Sequence, residues 1–186
     1  MAARIEPLMS VDDLDCMPED GNRYEVIEGE LFVSRAPGLT HQLVSGNIFG
    51  SFWDYLKVNP IGVIITTPGL ILSQYSGVIP DLVFFTQQRG AAIMSGNRLV
   101  AAPEIVIEIL SPGRENITRD RVAKLQLYAK YGVKEYWIVD YENRSLEIYR
   151  LSDRTFAAPV VLRDQDEITS PLLPGFSCKV VSFFRQ

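Results

Sequence analysis

Two short runs of the sequence, residues 78–85 (VIPDLVFF) and 104–110 (EIVIEIL), are apolar at almost every position. Strands that carry apolar side chains on both faces lie inside a sheet that is covered on both sides. Helices usually provide that cover, so the two runs predict a central mixed sheet with helices packed on it. The predicted fold class is therefore α/β or α+β.

The other predicted elements surround these two strands. In chain order they are a short helix or turn at 11–21, a hairpin at 23–34 that turns at Glu28-Gly29, a helix from Thr40 or His41 to about residue 58, a strand-rich segment at 62–73, a helix from Thr118 to Tyr131, strands at 135–140 and 145–151, and one or two strands near the C-terminus. We expect Thr118 to cap its helix and Gly132 to end it. Because about 150 residues is typical of one domain, we expect 1–186 to form a single domain.

Composition excludes several classes of protein. Hydrophobic residues make up 47% and charged residues 22%, as in folded proteins rather than disordered ones. No apolar run approaches the roughly 18 residues that a membrane helix needs, and the acidic start does not resemble a signal peptide. We therefore expect a cytoplasmic protein. Cys16 and Cys178 lie far apart and outside any metal-ligand spacing, so we expect two free thiols.

Charge is unevenly distributed along the chain. The net charge is −5 overall, but residues 1–30 carry −7 and residues 114–134 carry +4. A local basic segment is compatible with phosphate binding, because the field at a site depends on nearby charges. The same segment is also compatible with an ordinary solvated helix face, and the sequence leaves both interpretations open.

The two apolar strands contain three carboxylates, Asp81, Glu104 and Glu108. Glu104 lies at the entry of its strand, where we expect a solvated end residue. Glu108 shares a strand face with Val106 and Leu110 and is predicted to be buried, and Asp81 lies on an apolar face in the same way. Two buried carboxylates side by side repel each other. A Mg²⁺ ion would remove this cost, and it keeps coordination positions for water and phosphate oxygens.

Lys124 lies on the predicted helix that follows. It begins a helical stripe that continues with Leu127, Tyr128 and Tyr131, so its side chain is expected on an apolar face. One interpretation is that the aliphatic stem packs while the ammonium reaches water. The other is that the ammonium lies beside a metal-bound water and a phosphate, where it would stabilise negative charge.

These residues resemble the PD-(D/E)XK nuclease superfamily, in which an Asp and a Glu on neighbouring strands bind Mg²⁺ and a Lys assists phosphodiester hydrolysis. The ordered segments RYEVIEGEL, PDLVFF, EIVIEILSPG and KLQLYAKYGVKEYWIVD are more narrowly similar to a bacterial restriction-endonuclease-like family, often classed as a domain of unknown function. The resemblance covers about residues 10–150. It implies a restriction-endonuclease-like core with an N-terminal β-hairpin.

The resemblance also implies an activity, that of an endonuclease hydrolysing DNA phosphodiester bonds with Mg²⁺ or Mn²⁺ held by Asp81 and Glu108. The superfamily lysine lies two residues after the second acid, where this chain has Leu110, so the resemblance implies that Lys124 takes its place. Nucleases that cut both strands are commonly homodimers. An alternative is an inactive nucleic-acid-binding or assembly domain that retains the fold, which Leu110 and the acidic net charge favour. A more distant alternative is a phosphate-ester hydrolase for small molecules.

Three further residues are secondary candidates. The superfamily often adds an acid from its first helix, but the predicted helix offers only Asp54, late in its course. The resemblance therefore points to Glu28 or Glu30 of the hairpin, with Glu30 preferred, although both also fit ordinary exposed acids. His41, the only histidine, is compatible with a helix cap, a surface group or a phosphate contact.

Overall fold

The computed structural model describes residues 8–185. Its helices are a 3₁₀ helix at Asp12–Cys16, α1 (Leu39–Val58), α2 (Gln87–Ile93), α3 (Arg114–Thr118), a π-helical segment at Arg119–Lys124, α4 (Leu125–Tyr131) and a 3₁₀ helix at Val180–Phe184. Its strands are β1 (Arg23–Ile27), β2 (Glu30–Ser34), β3 (Gly62–Thr66), β4 (Leu70–Ser73), β5 (Ser76–Val78), β6 (Leu82–Thr86), β7 (Met94–Ser95), β8 (Arg98–Leu99), β9 (Ile105–Ile109), β10 (Glu135–Asp140), β11 (Ser145–Ser152), β12 (Thr155–Phe156), β13 (Val160–Arg163), β14 (Glu167–Ser170) and β15 (Leu173–Lys179).

These strands form a mixed central sheet and two smaller sheets. The central sheet has the order β12-β11-β10-β9-β6-β3, with β13 paired to β11. Strands β9 and β10 are parallel, whereas β6 pairs antiparallel with both β9 and β3. A second sheet has the order β2-β1-β5-β4-β8-β7, and β14 pairs with β15. The predicted mixed sheet with packed helices is confirmed.

Strand β9 shows why the apolar runs are buried on both faces. Ile105, Ile107 and Ile109 point into a core shared with α1 and the C-terminal 3₁₀ helix. Val106 and Leu110 point into a second core, which includes residues of α4 and of the second sheet. Glu108 belongs to this second face, as the period-two alternation predicts.

The predicted strand over residues 78–85 is wrong in one respect. Residues 76–78 form β5 in the second sheet, whereas residues 82–86 form β6 in the central sheet. Pro80 separates them, because proline lacks the N–H that a central ladder requires and restricts the residue before it. Asp81 therefore lies just before β6 rather than within a continuous strand.

The helix before β10 also differs from the prediction. Thr118 has helical backbone angles and makes no side-chain cap, because the helical region begins four residues earlier, at Arg114. Its middle is a π-helical segment, a wide turn that is frequent at functional sites. The expected end is confirmed, since Gly132 adopts the left-handed conformation with φ of 85°.

Other elements were predicted only in part. The hairpin turn is confirmed, and Glu28 and Gly29 both have positive φ as a two-residue hairpin turn requires. Helix α2 was not predicted; its N-cap is Thr86, whose side chain accepts a hydrogen bond from Arg89 N.

The C-terminal part contains more strands than the one or two expected. Within residues 8–185, no helix is long and apolar enough to cross a membrane.

Candidate active site

Asp81 and Glu108 face each other across the pair β6–β9. The register pairs Leu82 with Ile107 and Val83 with Val106, and one further step places Asp81 opposite Glu108. The backbone N–H of Ile109 donates to Asp81 Oδ2 at 2.9 Å, which holds the first carboxylate against the second strand. Both acids are buried. The structure therefore brings together the two acids that the sequence singled out, on one side of the sheet.

The Lys124 ammonium lies between two carboxylates. Its Nζ is 2.9 Å from Glu108 Oε1 and 2.9 Å from Glu25 Oε1, and only 1% of the residue is exposed. The interpretation in which the amine reaches water is wrong, because the ammonium is buried together with its stem and is paired with carboxylates. Tyr128 Oη, one turn further on, donates to the same Glu108 oxygen at 2.8 Å.

Glu25 is the hairpin acid that reaches this cluster, and the sequence analysis missed it. Its Oε1 accepts a hydrogen bond from Ile79 N at 2.7 Å, and the residue is buried. The two acids that were predicted instead are exposed: Glu28 pairs with Lys130, and Glu30 faces a neighbouring groove. The available signal was the same as for Glu108, a single acid flanked by apolar residues within a strand.

The π-helical segment contributes two more charges that were not predicted. Asp120 is 1% exposed and lies 3.9 Å from Lys124 Nζ. Arg119 donates from Nε to Asp120 Oδ1 at 3.0 Å, and its Nη1 lies 3.8 Å from Glu25 Oε2. Counting charges alone in residues 114–134 could not separate these inward-facing groups from the solvated ones.

His41 and Arg23 bind the oxygens of Asp81. His41 Nε2 is 3.0 Å from Asp81 Oδ2, and Arg23 Nη1 is 3.3 Å from Oδ1. His41 is buried and makes no helix cap, so its interpretations as a surface group or a cap are both wrong. Among the described residues its Nδ1 has no hydrogen-bond partner.

Glu104 does not belong to this cluster. It is buried rather than solvated, and its carboxylate accepts hydrogen bonds from Thr86 N at 3.2 Å and Thr86 Oγ1 at 3.0 Å. The expectation of a solvated end residue is therefore wrong, because the β6–α2 junction covers the start of β9. Glu104 stabilises that junction.

Burial and neighbouring charges shift the pKa values of the cluster in opposite directions. Burial raises the pKa of Glu108 to about 8; the Lys124 ammonium opposes this shift, and the nearby carboxylates add to it. For Asp81, burial is outweighed by the hydrogen bond and charge of His41, so its pKa is lowered. Burial would lower the pKa of Lys124, but Glu108, Glu25 and Asp120 raise it overall. The ammonium thus stays charged, and Glu108 is the acid that most readily holds a proton.

The cluster opens into a cavity of about 380 Å³. Its walls include the cluster residues Arg23, Glu25, His41, Asp81, Glu108 and Lys124. A larger cavity of about 720 Å³ adjoins it, and the two share Val33, Glu115, Asn116 and Arg119 as lining residues. The cluster therefore lines the smaller of two adjacent cavities.

The donor chemistry fits a hard divalent cation. Glu25, Asp81 and Glu108 offer oxygen ligands only, which is the set that Mg²⁺ prefers. Within residues 8–185 no three such side chains already stand in a metal-binding arrangement. With all four carboxylates of the cluster ionised, they would outnumber the three cations Arg23, Arg119 and Lys124, and a bound divalent cation would favour the ionised form of Glu108. Glu108 Oε2 receives no hydrogen bond from the described residues, which leaves an oxygen for a cation.

The mixed sheet and its covering helices define a protein of the restriction-endonuclease-like fold class. The match to known proteins agrees with this class. The chain belongs to the Uma2 family, whose description is "Putative restriction endonuclease" and which matches residues 11–181. The match continues beyond residue 150, where the resemblance seen in the sequence ended.

A solved structure shares the fold at low sequence identity. It is the crystal structure of "a putative nuclease belonging to DUF820" from Anabaena variabilis ATCC 29413. The TM-score is 0.77 and the identity is 18%, over 95% of this chain and 97% of the other. The comparison with curated proteins found no match.

Proposed function

We propose that the protein is a Mg²⁺- or Mn²⁺-dependent endonuclease that hydrolyses DNA phosphodiester bonds. The observation that carries the proposal is the facing pair Asp81 and Glu108, buried at the inner end of a cavity with the Lys124 ammonium 2.9 Å from one of them. Membership of a family whose description is "Putative restriction endonuclease" supports the class of reaction. A cytoplasmic location and a homodimeric state are parts of the same proposal.

Asp81 and Glu108 would hold the metal, with Glu25 near enough to share in the site. A bound divalent ion supplies an acidified water and a Lewis acid for the phosphoryl oxygen. Lys124 would then stabilise the negative charge that develops on the phosphate, since a buried ammonium is effective in a low-dielectric site. Glu25 and Asp120 keep that ammonium in place and charged.

Arg23 lies where it could contact the phosphate. Its guanidinium binds Asp81 Oδ1, and its side chain lines the cavity and is 24% exposed, compared with 2% for Lys124. A guanidinium binds phosphate oxygens well because its N–H groups form a planar fork. We therefore assign Arg23 to the phosphate rather than to the metal.

One observation favours the alternative of an inactive domain. Lys124 and Tyr128 already bind Glu108 Oε1, while Arg23, His41 and Ile109 N bind both oxygens of Asp81. A cluster that satisfies itself in this way could be retained as a structural ion network. Such a domain would bind DNA without cleaving it, and its affinity would not depend on a divalent cation.

A plasmid assay separates the two functions. Supercoiled plasmid is incubated with the protein in Mg²⁺ or Mn²⁺, with EDTA as the metal-free control. We expect nicking by the wild type that is lost in Asp81→Asn and kept in Asp54→Asn, which changes an exposed acid of α1. Undiminished nicking by Asp81→Asn would refute the assigned site, and plasmid binding without nicking by the wild type would support the inactive domain.

A further inference from the structure

Resting on the proposed function, we infer that the substrate strand enters the site unpaired and lies in a groove between β2 and α3. This groove, called the β2–α3 groove, is the cavity of about 720 Å³ beside the cluster. The residues that would contact the strand are Leu31, Phe32, Val33, Arg114, Val122 and Ala123.

The depth of the acidic cluster favours a flexible strand. The side chains of Asp81, Glu108 and Lys124 are 6%, 4% and 2% exposed, so a phosphate must enter the cavity to reach them. In a duplex the phosphates are fixed on a stiff double helix with a persistence length of about 50 nm. An unpaired strand can bend at each nucleotide and bring one phosphate inside.

The groove continues directly from the cavity. The two share four lining residues, among them Val33 on β2 and Arg119 on the π-helical segment. A strand with its scissile phosphate beside Lys124 would therefore pass these shared residues as it runs outward along β2. The nucleotides next to the scissile one would lie against the apolar wall.

The chemistry of the wall suits base faces. Val33 and Val122 are 52% and 48% exposed, and Phe32 is only partly buried. In a duplex the base faces are stacked inside, so they cannot contact such a wall, whereas an unpaired strand presents them. Exposed valines at the mouth of a charged site are thus explained by a ligand with apolar faces.

The charges of the groove argue in the same direction. Arg114 and Arg119 are balanced by Glu30 and Glu115, which line the same groove. Duplex binding depends on many phosphate contacts to Lys and Arg, and a balanced groove supplies few of them. We expect the affinity to come in large part from base contacts and to depend weakly on salt.

Binding to labelled oligonucleotides tests the inference. Fluorescence anisotropy is measured with an unpaired oligonucleotide and with the blunt duplex of the same sequence, in Ca²⁺ to avoid cleavage. We expect the unpaired strand to bind at least about tenfold more tightly, and Val33→Asp to weaken it about tenfold, since the change removes an apolar contact and adds a negative charge beside the phosphates. Val160→Asp, an exposed strand valine outside the groove, should leave binding unchanged.

Equal or tighter binding of the duplex would overturn the inference, as would an unchanged affinity in Val33→Asp. If that variant fails to fold, Val122→Asp and Arg114→Ala test the other wall of the groove in the same way. A cleavage assay on both linear substrates in Mg²⁺ or Mn²⁺ shows whether the unpaired substrate or the nuclease activity itself is refuted. Equal cleavage of duplex and strand refutes the unpaired substrate and leaves the nuclease intact; cleavage of neither refutes the nuclease itself.

Discussion

Replacing Lys124 by Met should strongly destabilise the fold. Methionine keeps most of the buried stem but removes the ammonium that lies 2.9 Å from both Glu108 and Glu25. The variant leaves two buried carboxylates without this partner, and Asp120 loses its more distant contact at 3.9 Å. Removing one member of a buried ion pair typically costs about 3–5 kcal/mol, because the other charge stays desolvated. For a protein of this size, that corresponds to a fall in melting temperature of about 10 °C.

The loss of folding stability in Lys124→Met should depend on pH. In the wild type the folded pKa of Glu108 is about 8 against an ordinary 4.5, so Glu108 makes stability fall as pH rises between these values. Loss of the ammonium raises that pKa further, so that stability in the variant continues to fall with rising pH beyond the value at which the wild type levels off. The raised pKa of Lys124 contributes stability that is present below its ordinary value of 10.5 and is lost as pH rises above it. The difference between wild type and variant should therefore be larger at pH 8 than at pH 5.

Thermal melts followed by circular dichroism, at fixed protein concentration across this pH range, measure both effects. The matched control is Lys130→Met, on the same helical region, where the exposed ammonium pairs with Glu28 and its loss should leave the melting temperature unchanged. If Lys124→Met has the same melting temperature as the wild type at pH 8, the cluster does not need its central cation and the predicted destabilisation is refuted.

The remaining predictions concern the neighbours of the acid pair. Glu25→Gln should reduce plasmid nicking because Lys124 loses one of its two ion-pair partners at 2.9 Å. Glu28→Gln, which changes an exposed acid of the same hairpin, should leave nicking unchanged. Equal rates in the two variants would contradict the assignment of Glu25. His41→Asn should weaken Mn²⁺ binding about 10–100-fold, as loss of a hydrogen bond to a metal-binding carboxylate does. His41→Gln, whose amide N–H can lie near the position of Nε2, should restore much of that affinity, and titration calorimetry that finds the two variants equal would remove His41 from the site.

The sequence alone predicted the features that depend on the residue pattern of a single strand or helix. Strand alternation predicted that Glu108 would be buried, and helical spacing placed Lys124 on the apolar face of the next helical region. Both follow from one element at a time. The sequence also predicted 78–85 and 104–110 as central strands; only residues 82–85 of the first lie in the central sheet, and the observed register brings Asp81 opposite Glu108.

The residues that were missed depend on contacts between elements. Glu25 lies in the second sheet and reaches Lys124 only because that sheet packs over the central one, which no local pattern specifies. Asp120 lies four residues before Lys124, on the same side of the helical region, but the net charge of the segment does not distinguish it from the solvated acids. His41 was ranked only as a secondary candidate because its burial depends on where α1 meets β6. The strand break at Pro80 was missed because apolar residues lie on both sides of it.

Isothermal titration of Mn²⁺ into the metal-free protein tests the central claim, that the facing acids Asp81 and Glu108 hold a divalent cation. We expect saturable binding in the wild type and in Asp54→Asn, and its loss in Asp81→Asn and in Glu108→Gln. A wild type that takes up no Mn²⁺, or an Asp81→Asn protein that binds it with unchanged affinity, would contradict the account.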